Sequence, residues 1–320
     1  IINEILKIKS LKYDYLKFID YKKRIFLDLE KELKEKEINK IFITDISLEI
    51  FKEDIKEIKK NFEFFVIDHH PSYPPSFKKT KNIIRTISED CASFTLFNLM
   101  NEYIEKYNKH YKFSKERLKF LRTLICATMI SEFSYNKKSN FLFIKEFYPK
   151  VKIKTIYNSY IGKICQNLSY TILFYEKDKE KVFDLINKDK IEEFSKYNKK
   201  VKKEIDYYLK KFNKEKIKLK ENLYFYYLKP KPRFSIGSIV STTLSLKEKD
   251  KTFVICSDSL ENSSFIKVNT RNQNGKENTN LLMKKAIKGL KNANGGGHFK
   301  ASAAKFLKED LEVFKKNLIS

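Results

Sequence analysis

The sequence predicts a two-domain α/β protein: a parallel sheet with helices on both faces, joined by a long helix to a smaller α/β C-terminal domain. Three observations carry this prediction. Short apolar runs alternate with helical periodicity between Lys12 and Ile67. A lysine-crowded amphipathic stretch fills residues 177–220. The length, 320 residues, suits two cores better than one.

The elements follow in order. Residues 13–18 read as a strand, and Ile25, Leu29 and Leu33 line one face of a helix. Residues 40–44 form a short apolar strand, Phe51, Ile55 and Ile58 mark a second helix, and residues 64–67 a buried strand. Strand–helix–strand repeats with short links imply parallel pairing. Residues 90–175 read as mostly helical, with Phe94, Phe97, Leu118, Leu121, Leu124 and Ile125 apolar. Ile191, Phe194, Tyr197, Val201, Ile205, Tyr208 and Phe212 then recur at steps of three or four, opposite a face rich in Lys199, Lys200, Lys202 and Lys203. Past Pro230 and Pro232 come strands near 252–257 and 264–270, after one near 222–228, and helices near 235–246 and 278–290. The expected division is 1–176, a helical linker 177–220, and 221–320.

Composition narrows the function. Sixty-seven Lys and Arg against 41 Asp and Glu leave a net charge of +26, which favours a polyanionic partner. Single lysine clusters are commonly solvated faces, but their sum favours sequence-independent backbone binding. Apolar runs fall far short of the roughly 20 residues of a membrane-spanning helix, and no secretory signal is visible at the start. Cys91, Cys126, Cys165 and Cys256 are widely spaced, which argues against a disulfide framework or structural zinc and makes a reducing cytoplasm the expected location. No G-x-x-x-x-G-K stretch supports ATP-driven chemistry.

The most informative segment is Val66-Ile67-Asp68-His69-His70-Pro71, where an apolar strand ends in a carboxylate and two imidazoles. In open parallel sheets ligands bind beyond the carboxyl ends of the strands. Asp45 ends the preceding apolar strand, so one crossover would bring both ends to one crevice. Imidazole with carboxylate is a ligand set for Mn²⁺, Fe²⁺ or Zn²⁺. Glycine is scarce, yet three of the seven stand together as Gly295-Gly296-Gly297, marking backbone that tolerates no side chain.

Asp68-His69-His70 behind a buried strand resembles the signature of the DHH phosphoesterases, which include RecJ-like exonucleases, nanoRNases and cyclic-dinucleotide phosphodiesterases. Gly295-Gly296-Gly297-His298 resembles the GGGH motif of that family's associated C-terminal domain, and Arg271, in Ile266-Lys267-Val268-Asn269-Thr270-Arg271, its substrate-strand arginine. The resemblance implies two divalent metals, usually Mn²⁺ with Mg²⁺ as a substitute. Asp45 and His69 would be metal ligands, Asp68 would orient them, and His70 would reach the scissile phosphate. Glu132 stands where the family's fourth motif supplies an Asp ligand, and as a carboxylate one methylene longer it would be a third metal ligand. Arg271, Gly295, Gly296, Gly297 and His298 would hold the terminal phosphate, the glycines as an anion-binding nest.

The family's first motif, a His with two Asp, is absent, and residues 1–12 read as the helix after it. Either the sequence begins inside a longer protein, as its initial Ile suggests, or those ligands have been lost. The resemblance therefore implies an exonuclease acting on single-stranded DNA, RNA or short oligonucleotides and releasing nucleoside monophosphates. Its rivals are a catalytically silent nucleic-acid-binding subunit of a replication or repair assembly, and a cyclic-dinucleotide phosphodiesterase.

Overall fold

The computed structural model describes residues 1–19, 25–46, 51–70, 82–87, 89–188 and 191–320. Pro71 lies outside them. The chain divides into two compact units, Ile1–Gln166 with Asn187–Asp189, and Asn167–Ile186 with Lys190–Ser320.

In the first unit, α1 (Ile2–Ile8) and α2 (Ile25–Glu35) precede β1 (Lys40–Thr44). Helix α3 (Lys52–Ile58) returns the chain to β2 (Glu63–Asp68), and β3 (Ile83–Arg85) follows. The strands form a parallel sheet in the order β1-β2-β3. Thr44 lies opposite Ile67, so β1 and β2 end side by side. Ile43, Phe64, Val66 and Ile83 pack on Phe26, Phe51, Ile55 and Ile58, the apolar positions of α2, α3 and its entry. At the alternate positions Phe42 and Phe65 stack 5.0 Å apart.

Residues 13–18 do not form the expected strand. Tyr13 and Phe18 are each 43% exposed, while Tyr15 packs against the α2–α3 cluster and donates to Glu32 at 2.5 Å. A short aromatic-rich run resembles a strand, but a ladder also needs a partner strand, which none of the described residues supplies here.

Helices α4 (Ala92–Tyr107), α5 (Lys115–Ser131) and α6 (Lys138–Phe147) follow, then α7 (Tyr160–Phe174), which runs from the first unit into the second. Phe97, Met100, Leu121, Ile125, Met129, Ile130 and Ile144 are buried here. Buried Glu4 ties α1 to α5 by accepting from Arg117 at 2.6 Å. Burial pushes that carboxyl's pKa up, but Arg117 and Lys7 outweigh it and hold it below the usual glutamate value.

The second unit contains α8 (Lys179–Asn187), whose last residue falls to the first, then α9 (Ser195–Glu215), β4 (Ile217–Lys220) and β5 (Leu223–Tyr227). Next are α10 (Gly237–Lys247), β6 (Thr252–Asp258), β7 (Phe265–Arg271) and α11 (Thr279–Ala286). Strands β8 (Asn294–His298) and β9 (Ala301–Leu307) and helix α12 (Leu311–Ile319) complete it. Its sheet runs β4-β5-β6-β7-β9-β8, antiparallel except for β5 beside β6. Both faces of the central strands are covered, which is why they read as near-continuous apolar runs. Phe225, Val254, Val268 and Phe306 face Leu282, Met283, Phe314 and Leu318 of α11 and α12. Tyr224, Tyr226, Phe253 and Ile255 face the opposite way, toward α9 and α10.

The helix expected as a linker is therefore part of a core. Val201, Ile205, Tyr208 and Phe212 of α9 are each at most 2% exposed against that sheet. The apolar stripe was legible, but the surface that buries it comes from strands later in the chain. No helix among the described residues is long and apolar enough to cross a membrane.

Candidate functional site

In the first unit, the site grows from two strand ends. The Asp45 amide donates to the Ile67 carbonyl at 3.0 Å, extending the ladder one step beyond β1. Asp45 then takes a left-handed backbone, φ +60°, which Asp and Asn tolerate better than other non-glycine residues. Such strain concentrates at functional sites. Asp45 Oδ1 lies 3.0 Å from His69 Nε2. His69 is 1% exposed. Burial depresses its pKa, but Asp45, Glu132 and Asp68 together outweigh this and raise it. Glu132 caps the C-terminus of α5, just before Phe133 in a left-handed conformation.

Asp68 is 1% exposed. Its Oδ1 lies 2.7 Å from His70 Nδ1 and accepts from the His70 amide at 3.2 Å. Its Oδ2 is buried, has no hydrogen-bond partner among the described residues, and lies 3.6 Å from Arg85 Nη2. Donor atoms of Asp45, Asp68 and His70 fall within 4.8 Å of one another. Adjacent corners of an octahedron with bonds of about 2.1 Å lie about 3 Å apart. The Asp45–His69 spacing therefore suits two ligands of one divalent cation. The described donors of this unit fit one such ion. Two ions about 3.5–4 Å apart require more ligands than these.

In the second unit, the register aligns three residues in one row. Arg271 lies opposite Ala301, and Ala301 opposite His298. Residues opposite one another share a face, so the Arg271 and His298 side chains leave the same face about 10 Å apart, two strand spacings. Asn269, Ala303 and Gly296 form the parallel row two residues away. Arg271 donates from Nε to Thr242 Oγ1 at 3.2 Å and from Nη2 to Ser238 Oγ at 3.0 Å, both hydroxyls on α10. The result is a shelf floored by small residues and flanked by two basic side chains.

The triglycine is not a nest. Gly295, Gly296 and Gly297 lie in β8, the edge strand paired with β9. Successive amides of a strand point in opposite directions, so the three cannot converge on one anion as a nest requires. Two of the glycines answer to packing. A Cβ on Gly295 would stand 2.9 Å from the Ala304 Cβ, and one on Gly297 (φ +144°) 2.5 Å from the Ala301 carbonyl oxygen. A Cβ on Gly296 would meet only Asn280 Oδ1, at 3.5 Å. Gly297→Ala should therefore destabilise the protein by about 1–3 kcal/mol, and Gly296→Ala by less than about 0.5 kcal/mol. Urea unfolding checks this, and the reverse ranking would contradict the packing.

The solved structures decide the fold. The chain matches a crystal structure of exonuclease RecJ bound to manganese with a TM-score of 0.61 and 13% identity, over 91% of this chain and 77% of that one. It matches the DHH domain of a member of a family of ribosomal proteins at TM-score 0.50 and 17% identity, over 92% and 73%. The fold is the DHH-family fold. The chain also matches a crystal structure of CDC45 from Entamoeba histolytica at TM-score 0.51 and 12% identity, over 99% of this chain and 91% of that one. No family model and no curated protein matches the sequence.

Within this DHH fold, sequence reasoning missed Arg85. It ends a three-residue strand, too short to show a period, and reaches Asp68 because β3 pairs with β2 so that Arg85 lies opposite Asp68. Ser238 and Thr242, which position Arg271, were also missed. Their spacing of four on one helix was the available signal.

Proposed function

We propose that the chain is a metal-dependent phosphodiesterase acting as an exonuclease on single-stranded nucleic acid or short oligonucleotides. The observation that carries this reading is the meeting of Asp45 and His69 at 3.0 Å, at the ends of two adjacent parallel strands. Its occurrence in a fold shared with exonuclease RecJ adds support.

Asp45 and His69 would hold a divalent ion, Mn²⁺ or Mg²⁺, with Glu132 adding negative charge. When bound, the ion supplies Lewis-acid polarisation of a phosphoryl oxygen. Asp68 fixes the His70 ring through Nδ1. With that nitrogen as the donor, Nε2 of the neutral ring presents a lone pair in the manner of a carboxylate-oriented metal ligand. In the protonated ring Nε2 donates to a phosphate oxygen. On the second unit Arg271 can make charge-assisted bonds to a terminal phosphate, and His298 adds a second polar group on the same face. The glycines contribute by keeping the shelf low rather than as a nest.

A second reading, a binding subunit without hydrolytic activity, is favoured by the described donors of the first unit, which fit one ion site rather than two. Digestion of an end-labelled single strand in Mn²⁺ separates the two. The first reading expects nucleoside monophosphates, abolished by EDTA. Intact substrate across a series of Mn²⁺ and Mg²⁺ concentrations would leave the binding reading in place.

A further inference from the structure

Helix α9 carries a surface that its role in the core does not explain. Lys196, Lys200, Lys203, Tyr207, Lys210 and Lys214 follow one another at steps of four, three, four, three and four. They form one stripe on the exposed side, opposite the buried Val201, Ile205, Tyr208 and Phe212. At 1.5 Å per residue the stripe is about 27 Å long.

Its charge is sorted, not merely abundant. The three acidic residues of α9 are engaged elsewhere. Glu204 accepts from the backbone amides of Arg233 and Phe234 at 2.7 and 3.2 Å. Asp206 pairs with Lys202 at 2.8 Å, and Glu215 with Lys211 at 2.7 Å. Lys203, Lys210 and Lys214 of the stripe, and Lys199 beside it, have no acidic partner among the described residues. Neighbours three or four apart on a helix stand about 5–6 Å apart, inside the roughly 8 Å screening length of physiological salt, so their fields add. Like charges at that spacing destabilise a helix, and a solvated face has no need of them. Tyr207 interrupts the lysines with a ring 45% exposed, braced edge-on by Tyr208 at 5.0 Å.

The geometry points to a single-stranded nucleic acid lying along α9, its phosphates on Lys199, Lys203, Lys210 and Lys214 and one base stacked on Tyr207. A row of cations broken by an exposed aromatic ring is the pattern that tracks a backbone and stacks a base. An acidic protein segment would match the lysines but give Tyr207 no stacking partner. This inference rests on the proposed action on single strands and assigns the surface that would hold them.

The test is fluorescence anisotropy of labelled oligothymidylate in EDTA, between about 50 and 200 mM salt. Each phosphate contact contributes a log–log slope of roughly −0.7. Substituting Lys199, Lys203, Lys210 and Lys214 together with Gln, a residue of similar helix propensity, should flatten the slope by roughly 2–3. Tyr207→Ala should weaken binding roughly fivefold or more at fixed salt. The control replaces Lys31, Lys34, Lys60 and Lys181, each already paired with a carboxylate, and should leave most of the slope. Equal flattening by both sets, or steep binding that survives the α9 substitutions, would overturn the assignment while leaving the nucleic-acid reading intact. No binding by the unsubstituted protein would overturn both. Binding without hydrolysis in Mn²⁺ would remove only the enzymatic reading.

Discussion

Asp45→Asn should abolish metal-dependent hydrolysis while the protein remains folded. Asparagine replaces an anionic oxygen with a neutral amide, so a cation loses a charged ligand. It also tolerates the left-handed backbone at this position, φ +60°. The Asp45 side chain is 53% exposed, so the substitution opens no cavity in the core. Removing a group that only orients a ligand typically costs 10–100-fold in metal affinity or activity, and removing a ligand should cost at least about 100-fold. Turnover of an end-labelled oligonucleotide, with circular dichroism as the folding control, reads both effects. Undiminished turnover in Mn²⁺ would place the metal elsewhere.

Asp68→Ala should act through stability as well as activity. Asp68 binds His70 twice and faces Arg85 from a site 1% exposed. Hydrogen bonds to charged groups are worth about 1.5–3 kcal/mol, so urea unfolding should show the variant less stable by about that amount. Activity should fall roughly 10–100-fold as the His70 ring loses its orientation. Asp68→Asn keeps an acceptor for His70 Nδ1 and should retain more of both. If Asp68→Ala matched the native protein in urea, the carboxylate would not be a structural anchor.

What the sequence disclosed follows from which interactions are local. The β1-α3-β2 unit was legible because apolar runs and helical steps recur within a few residues, and the placement of Asp45 and Asp68 at adjacent strand ends followed from it. The expected strand at residues 13–18 has the aromatic residues of a strand but no ladder partner among the described residues, and pairing is not encoded in one segment. Arg85 was missed for the complementary reason: its importance comes from register against Asp68, not from its own surroundings. The triglycine was noticed for its rarity yet assigned the wrong conformation, since glycine is equally at home in a nest and in an edge strand pressed against Ala301 and Ala304. For α9 the amphipathic period was plain, but not that its apolar face covers a sheet formed by later residues. The pairing of its acids, which leaves the lysine stripe cationic, is visible only in three dimensions.

If the ends of β1 and β2 form a divalent-cation site, Mn²⁺ binding followed by electron paramagnetic resonance will report it. Titrations of the native protein, Asp45→Asn and His298→Ala separate the two units without requiring turnover. The native protein and His298→Ala should bind Mn²⁺ alike, and Asp45→Asn about 100-fold more weakly or not at all. Equal binding by all three, or loss in His298→Ala with Asp45→Asn unaffected, would contradict a site at these strand ends.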